Sequence, residues 1–337
     1  MNYIGIDLHK KTISLCVMSK GRKVLGRRTL RCDDEERIKA FFQDCRPFRA
    51  VVEATASYEW LVQLIEPLSN RVLLAHPKKL RMIAETKNKT DKIDAQVLAE
   101  LLAIDIIPQS YRPTPRLRAY RRLVRYRYFV RGRVTSLRCK IRHILSDYNL
   151  DRPDLFTIDG LEYLGQVPIS TTDRWVVDQL VTHWQQQRSH LRAANRQLRE
   201  FAETAPLAER ESREILRTIP YVGQVTLDVV LSELGDVRRF RSQKQAVAYA
   251  GLNPGIRESA GRSKQLRITK EGSRLLRWAL VETAWRLTSR SRYWGYRYEQ
   301  LAQRIGAKKA IVATARRLLC VMVAMLQRGE PYRLLAA

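Results

Sequence analysis

Between Ile106 and Ser146 this chain carries no aspartate or glutamate, while arginine and lysine crowd positions 112–142. Within that stretch Leu117, Leu123, Val124, Val130, Leu137, Ile141, Ile144 and Leu145 recur at broken helical spacing. Arg118, Arg121, Arg122, Arg125, Arg131, Arg138 and Arg142 fall on the remaining faces. A long helix with one apolar stripe satisfies that pattern, whereas a strand, with its period of two, does not. A face that served only to keep the helix soluble would mix both signs of charge. One sign alone predicts a helix that meets a polyanion, with Arg118, Arg121, Arg122 and Arg125 as candidate nucleic-acid contacts.

On either side of this helix the patterning differs. Residues 1–105 alternate between β-rich and helical runs. Tyr3 to Asp7, Thr12 to Met18 and Lys23 to Leu30 read as three strands, Asp33 to Asp44 as a helix with an acidic first turn, and Ala50 to Glu53 as a buried strand. A helix over Tyr58 to Leu68, a strand over Val72 to His76 and a helix over Asp91 to Leu102 complete the segment. Three strands followed by alternating helix and strand predict a ribonuclease-H-like α/β domain, with a doubly wound sheet as the main competitor.

Downstream, Val177, Leu180, Trp184, Gln187, Leu191, Ala194, Leu198 and Phe201 repeat at alternating spacings of three and four, a short heptad seam with one polar position. Such a seam serves either a dimerising coiled coil or a hairpin within one chain, and the dimerising linker is the reading favoured here. From Ser212 onward short helices are separated by Gly and Pro loops. Ile219 to Gly223 resembles half of a helix-hairpin-helix phosphate grip, with one glycine missing. Asn253 to Gly261 reads as a Gly-rich loop running into basic residues from Arg262 to Arg274, then a helix from Leu275 to Thr288. The predicted class is α/β plus α: an α/β domain over 1–105, a basic helical linker with a coiled coil over 106–210, and a mainly helical domain over 211–337.

Lysine and arginine outnumber aspartate and glutamate by 62 to 34, a formal charge of +28, which points to nucleic acid rather than a small metabolite. The five cysteines form no C-x-x-C pair and have no histidine at zinc-ligand spacing, as in a reduced, cytosolic protein. The N-terminus reads as a short strand followed by charge, not a signal peptide. The best apolar run, Ile311 to Leu326, is broken by Arg316 and Arg317, so no membrane span is expected.

Against this cationic background four acids stand out. Asp7 ends the first strand and Glu53 a later, central one; Asp91 and Asp94 are three apart at a helix start and share a face. Four carboxylates from two strands and one helix suit two Mg²⁺ ions about 3.5–4 Å apart, the arrangement that clamps attacking and leaving oxygens of a phosphodiester. Each also has a plainer role: Asp91 as a helix cap, Asp94 as a partner for Lys89. An actin-like phosphotransferase would need a Gly-Thr-rich loop after Asp7, where Leu8, His9, Lys10 and Lys11 stand instead.

Gly5-Ile6-Asp7, Val52-Glu53-Ala54-Thr55 and Thr90-Asp91-Lys92-Ile93-Asp94-Ala95 closely resemble the motifs of the DEDD transposases, insertion-sequence recombinases with a RuvC-like N-terminal domain. Ala248 to Gly255 and Arg267 to Ser273 resemble that family's C-terminal transposase domain, in the same order. The Thr-Asp-Lys-Ile-Asp-Ala block is specific, the Gly-Ile-Asp is not. The resemblance implies a serine nucleophile upstream of the Ile-Thr-Lys block, which here is Ser259, with Ser263 and Ser273 as alternatives. Many members read Ser-Gly at that point; here Ser259-Ala260-Gly261 moves the glycine by one.

The resemblance further implies a phosphoserine intermediate with DNA and a composite site shared between protomers of a homodimer or homotetramer. It also implies a guide (bridge) RNA that pairs with the element's ends and the target, and a cytoplasmic, nucleoid-associated protein. Lys270 joins the arginines as a nucleic-acid contact, and Tyr120, Tyr126 and Tyr128 are candidates either to stack on bases or to join the core. Two rival readings are a junction-resolvase-like endonuclease, using the acids with water as nucleophile, and a nucleic-acid scaffold without catalysis.

Overall fold

The apolar runs that open the sequence become an antiparallel meander of β1 (Asn2–Leu8), β2 (Thr12–Met18) and β3 (Val24–Arg31). These are features of a computed structural model that describes residues 1–54, 57–83, 91–259 and 262–333, with the side chains of 91–93 and 256–265 outside the description. The chain divides into two compact units, Met1–Arg112 and Pro113–Ala337.

In the first unit, β4 (Phe48–Glu53) and β5 (Arg71–Ala75) add in parallel beside β1, giving a mixed sheet of order β3-β2-β1-β4-β5. Helix α1 (Glu35–Asp44) starts where the sequence places an acidic turn: Asp34 accepts from the Arg37 amide, and Glu35 and Glu36 lie at the positive end of the helix dipole. Residues 58–68 divide into α2 (Glu59–Ile65) and a 3₁₀ turn at Glu66–Leu68, where Pro67 sits. Two short helices follow on the path to the second unit, α3 (Pro77–Ile83) and α4 (Asp91–Ala103).

Both faces of the sheet are covered. Ile4, Ile6, Ile13 and Leu15 pack with Ile38 and Phe42 of α1 and Leu61, Val62 and Ile65 of α2. On the opposite face Tyr3, Cys16, Met18, Val51 and Leu73 pack with Ala95, Leu98, Ala99 and Leu102 of α4. Gly5 allows this second layer: a Cβ there would stand 1.9 Å from the Ala95 carbonyl and 2.5 Å from the Ala99 amide. The helix therefore lies directly on the bare backbone of β1.

The second unit is built on α5 (Pro115–Asp147) and α7 (Thr171–Glu203), each of 33 residues, joined through α6 (Ile158–Gln166). Thr114 caps α5 by accepting from the Leu117 amide, and Pro115 at the first helical position needs no amide partner. The heptad seam of α7 faces α5 of the same chain, so the hairpin alternative describes it. Val177 packs with Ile141 and Leu145. Leu198 shares a core with Tyr120 and Val124, and Phe201 stacks on Tyr120 at 5.2 Å. A heptad pattern specifies a helical partner but not which chain supplies it.

That core continues into α8 (Leu207–Arg217), α9 (Gln224–Leu234), α10 (Gln243–Ala250), α11 (Arg274–Arg290), α12 (Arg292–Ile305) and α13 (Ala307–Arg328). One sequence expectation needs correction here, and one helix needs comment. The segment from Asn253, read as a loop, forms a two-stranded hairpin of β6 (Pro254–Ser259) and β7 (Arg262–Ile268). And α13 is, by length and composition, long and apolar enough to cross a membrane, although half of its most apolar window is buried inside the protein. Ile311, Leu318, Leu319, Met322 and Val323 are core residues, while Arg316 and Arg317 are exposed on the other side.

Candidate functional site

The sheet register brings two of the four acids together. Ile6 of β1 is opposite Val52 of β4, so Asp7 and Glu53 are the next positions on adjacent parallel strands at the centre of the sheet. Alternation along each strand puts both on the face of Gly5 and Val51, the face that α4 covers. Asp94 immediately precedes Ala95, the residue lying over Gly5, and is half-buried. Asp91 is the first residue of α4, and its side chain lies outside the described residues. Carboxyl ends of central parallel strands are where open α/β sheets hold ligands.

Asp7 is mostly covered, with 14% of its side chain exposed, and its Oδ2 lies 2.9 Å from His9 Nε2. Among the described residues no three of His, Cys, Asp and Glu stand together as a metal site. The chemistry of the donors still discriminates between ions. Cys16, opposite Gly5 on the same face, is fully buried, and that burial pushes its thiol up, against the opposing pull of Arg27. A neutral buried thiol is a poor ligand. Asp7, Glu53 and Asp94 offer carboxylate oxygens here, and hard carboxylate oxygens fit Mg²⁺.

In the second unit the two motif blocks lock together backbone to backbone. Helix α10 ends at Gly251 in the left-handed conformation (φ 67°). The Lys270 amide donates to the Gly251 carbonyl at 3.1 Å and the Thr269 amide to the Asn253 carbonyl at 3.0 Å. Thr269 Oγ1 also donates to Asn253 Oδ1 at 3.0 Å. A Cβ on Gly272 would stand 1.9 Å from the Tyr249 carbonyl. Arg277 spans the join, donating to the Ala250 and Gly272 carbonyls at 3.0 and 2.7 Å. This clasp anchors the base of the β6–β7 hairpin. Ser259 ends β6 and pairs with Arg262 at the far end of the hairpin, and Ser263 pairs with Glu258; their side chains lie outside the described residues. Ser273 caps α11, accepting from the Leu276 amide at 3.2 Å. Lys270 is exposed at φ 57° on the clasp.

The arginines of α5 divide into two groups. Arg121 donates to the Ser232 and Glu233 carbonyls at the end of α9, at 2.7 and 2.9 Å. Arg125 makes a bidentate pair with Glu233 at 2.9 and 3.0 Å, and the Glu233 side chain is 2% exposed. Those hydrogen bonds hold the Arg125 guanidinium above its ordinary range. Arg118 donates to the Pro113 carbonyl at 2.6 Å. Arg122 is exposed.

Of the three tyrosines, Tyr120 is core, where its hydroxyl joins Arg213 and Asp228. Tyr128 packs on Trp278 at 5.3 Å, and Tyr126 is half-exposed. Sequence reasoning passed over Phe129, which is also half-exposed. Its signal was position, three residues after Tyr126 on the cationic side of the helix.

Comparison with known proteins falls on both halves of this architecture. A family model described as Transposase, of the DEDD IS110 type, matches residues 4–150. A second, described as Transposase IS116/IS110/IS902 family, matches residues 213–300. The first span holds all four acids and α5; the second holds the clasp and the hairpin. The chain belongs to the DEDD transposase family and is a DNA transposase/recombinase.

Among its relatives, the transposase for insertion sequence element IS1328 of Yersinia enterocolitica is 27% identical, over 83% of this chain and 82% of its own. The transposase for insertion sequence element IS1111A of Coxiella burnetii is 24% identical, over 98% and 91%. A pilin gene-inverting protein of Moraxella bovis is 25% identical, over 98% and 97%.

Proposed function

We propose that this transposase cuts and rejoins DNA through a covalent serine link, with Ser259 as nucleophile and Asp7, Glu53, Asp91 and Asp94 as the Mg²⁺-binding acids. The observation that carries the reading is the placement of Asp7 and Glu53 on one face and one end of a single sheet, with Asp94 on the helix laid across that face, next to the residue that covers Gly5. The strand order β3-β2-β1-β4-β5, antiparallel then parallel, supports a ribonuclease-H-like assignment for residues 1–105. Residues 106–210 act as the basic helical segment and 211–337 as the serine-bearing part.

In the proposed reaction Ser259 Oγ attacks a DNA phosphorus and the bond from phosphorus to the 3′ oxygen breaks. The serine loses a proton, the departing 3′ oxygen gains one, and the phosphate stays on the protein as a diester. Exchange and the reverse attack restore DNA without an external energy source. A hydroxyl is a weak nucleophile until its proton is taken, and a phosphate is a better electrophile once its charge is neutralised. Arg262, which pairs with Ser259 at the tip of the hairpin, and Lys264, two positions further along β7, would supply positive charge beside Ser259, with Arg267 and Lys270 toward the hairpin base. When bound, Mg²⁺ would supply further charge neutralisation at the carboxylates.

In this reading a structured guide RNA selects the DNA by pairing, the cationic helix α5 holds nucleic-acid backbone, and a homodimer or homotetramer completes the site. The curated relatives named as transposases and gene-inverting proteins support strand exchange over simple cutting. The test is a recombination assay on paired element ends. Ser259→Ala and Asp94→Ala should each abolish product while Ser263→Ala retains it. Hydrolytic cutting that survives in Ser259→Ala would replace this mechanism with the water-using endonuclease.

A further inference from the structure

The middle of α5 presents a face that its own fold does not use. Arg122, Tyr126, Phe129, Arg133 and Ser136 follow one another at spacings of four and three, so they share one side of the helix. Tyr126 is 49% and Phe129 53% exposed, unusual for two aromatic rings one turn apart on a polar surface. The Arg133 guanidinium lies 5.0 Å from the centre of the Phe129 ring. Between them stands Gly132, in mid-helix, where glycine is disfavoured. A Cβ on Gly132 would meet nothing within 4 Å, so packing in this chain does not require the glycine. Gly132 also lines an open hollow of about 560 Å³ bounded by Tyr128, Phe129, Arg131, Arg133, Thr135 and Ser136. Arg131, over Trp278 at 4.8 Å, adds a second cation to its border.

We propose that this face is a stacking platform for unpaired bases of a single-stranded nucleic acid, with Phe129 and Tyr126 under the bases and Arg122 and Arg133 on the flanking phosphates. The proposal rests on the recombinase reading above and adds to it the state of the nucleic acid bound: single-stranded rather than duplex. Two observations favour this occupant over a second copy of the chain. A helix-on-helix seam needs an apolar stripe, and here cations at 122 and 133 and a serine at 136 leave only two apolar positions on this side. The surrounding 106–146 stretch holds no acid, so phosphate meets no opposing charge from it. Bases stack on aromatic rings whatever their identity, which suits a strand presented in many sequences.

The experiment measures binding of the purified full chain to a short labelled strand as DNA, as RNA and as duplex DNA. Phe129→Ala should weaken single-strand binding about tenfold while changing duplex binding little, and Phe129→Trp should restore it. Gly132→Leu projects a side chain into the hollow from a better helix former, so it should weaken single-strand binding without lowering the thermal midpoint. The stronger of the DNA and RNA arms identifies the source of the strand. Unchanged single-strand affinity in Phe129→Ala and Gly132→Leu overturns the platform, as does an equal loss on duplex. A loss that follows a fall in oligomer mass assigns the face to a second copy instead. Failure of the unsubstituted chain to bind any of the three probes overturns the recombinase reading along with the platform.

Discussion

Substituting Asp228 should unfold the second unit far more readily than any surface change. Asp228 and Arg213 form an ion pair at 2.8 Å with side chains only 7% and 6% exposed. The Tyr120 hydroxyl donates to the same carboxylate at 2.7 Å and accepts from Arg213. Burial and the Asp228 charge hold the Tyr120 phenol well above its ordinary range, so it stays a donor at any working pH. Three helices, α5, α8 and α9, thus meet at one buried polar knot. Asp228→Ala leaves the Arg213 charge buried without its partner, which costs about 3–5 kcal/mol. Tyr120→Phe removes hydrogen bonds but strands no new charge, and should cost about 1–2 kcal/mol. Replacing both ions, as Arg213→Met with Asp228→Leu, should return to within about 2 kcal/mol of the starting protein.

The assay is urea unfolding followed by tryptophan fluorescence, compared at constant slope. The signal reports chiefly on this unit, because Trp175, Trp184, Trp278, Trp285 and Trp294 lie in it and Trp60 alone lies in the other. A loss below about 1 kcal/mol for Asp228→Ala, or a double variant as weak as the single one, would refute the stranded-charge reasoning.

Other consequences are as direct. Arg125→Ala should lower stability by about 1–3 kcal/mol by leaving Glu233 buried and unpaired, whereas Arg122→Ala should leave unfolding unchanged and reduce the salt slope of nucleic-acid binding by about one; both come from paired urea and titration experiments. Gly272→Ala should eliminate recombination and lower the thermal midpoint, since its methyl would overlap the Tyr249 carbonyl, while Gly26→Ala, with open space at that position, should do neither. Hydrogen bonds from Tyr148 and Ser170 hold the Asp173 carboxyl below the usual range. Its contribution is therefore present above about pH 3.9 and is lost as pH falls through the folded-state pKa. The urea midpoint of Asp173→Asn should accordingly sit below that of the unsubstituted chain at pH 6, with the gap closing in acid.

How much of this was legible in the sequence depends on how local each signal is. The strands of the first unit announce themselves because β-branched, apolar runs with polar turns leave little choice of conformation, and the sheet order then brings Asp7 beside Glu53. The β6–β7 hairpin was not legible: Pro254, Gly255 and the charges at Arg257 and Glu258 look like a loop, and only the pairing of Ile256 with Gln265 and Pro254 with Ile268 reveals two strands. The heptad seam on α7 foretold a helical partner without saying that α5 of the same chain would be it. Arg121 and Arg125 looked like outward charges because their partners on α9 lie more than a hundred positions away in sequence. Phe129 carried a signal that was present but easily discounted, since an apolar residue on a cationic helix is ordinarily counted with the core stripe.

The central claim is a covalent serine link between this chain and DNA, and a denaturing-gel assay tests it most directly. Purified protein with any co-purifying RNA is mixed with end-labelled DNA carrying the element's junction, in Mg²⁺, and denatured. The account predicts a shifted, protease-sensitive band that disappears in Ser259→Ala and in Asp94→Ala. Metal-dependent cleavage with no such band, or a band that persists in Ser259→Ala, would contradict it.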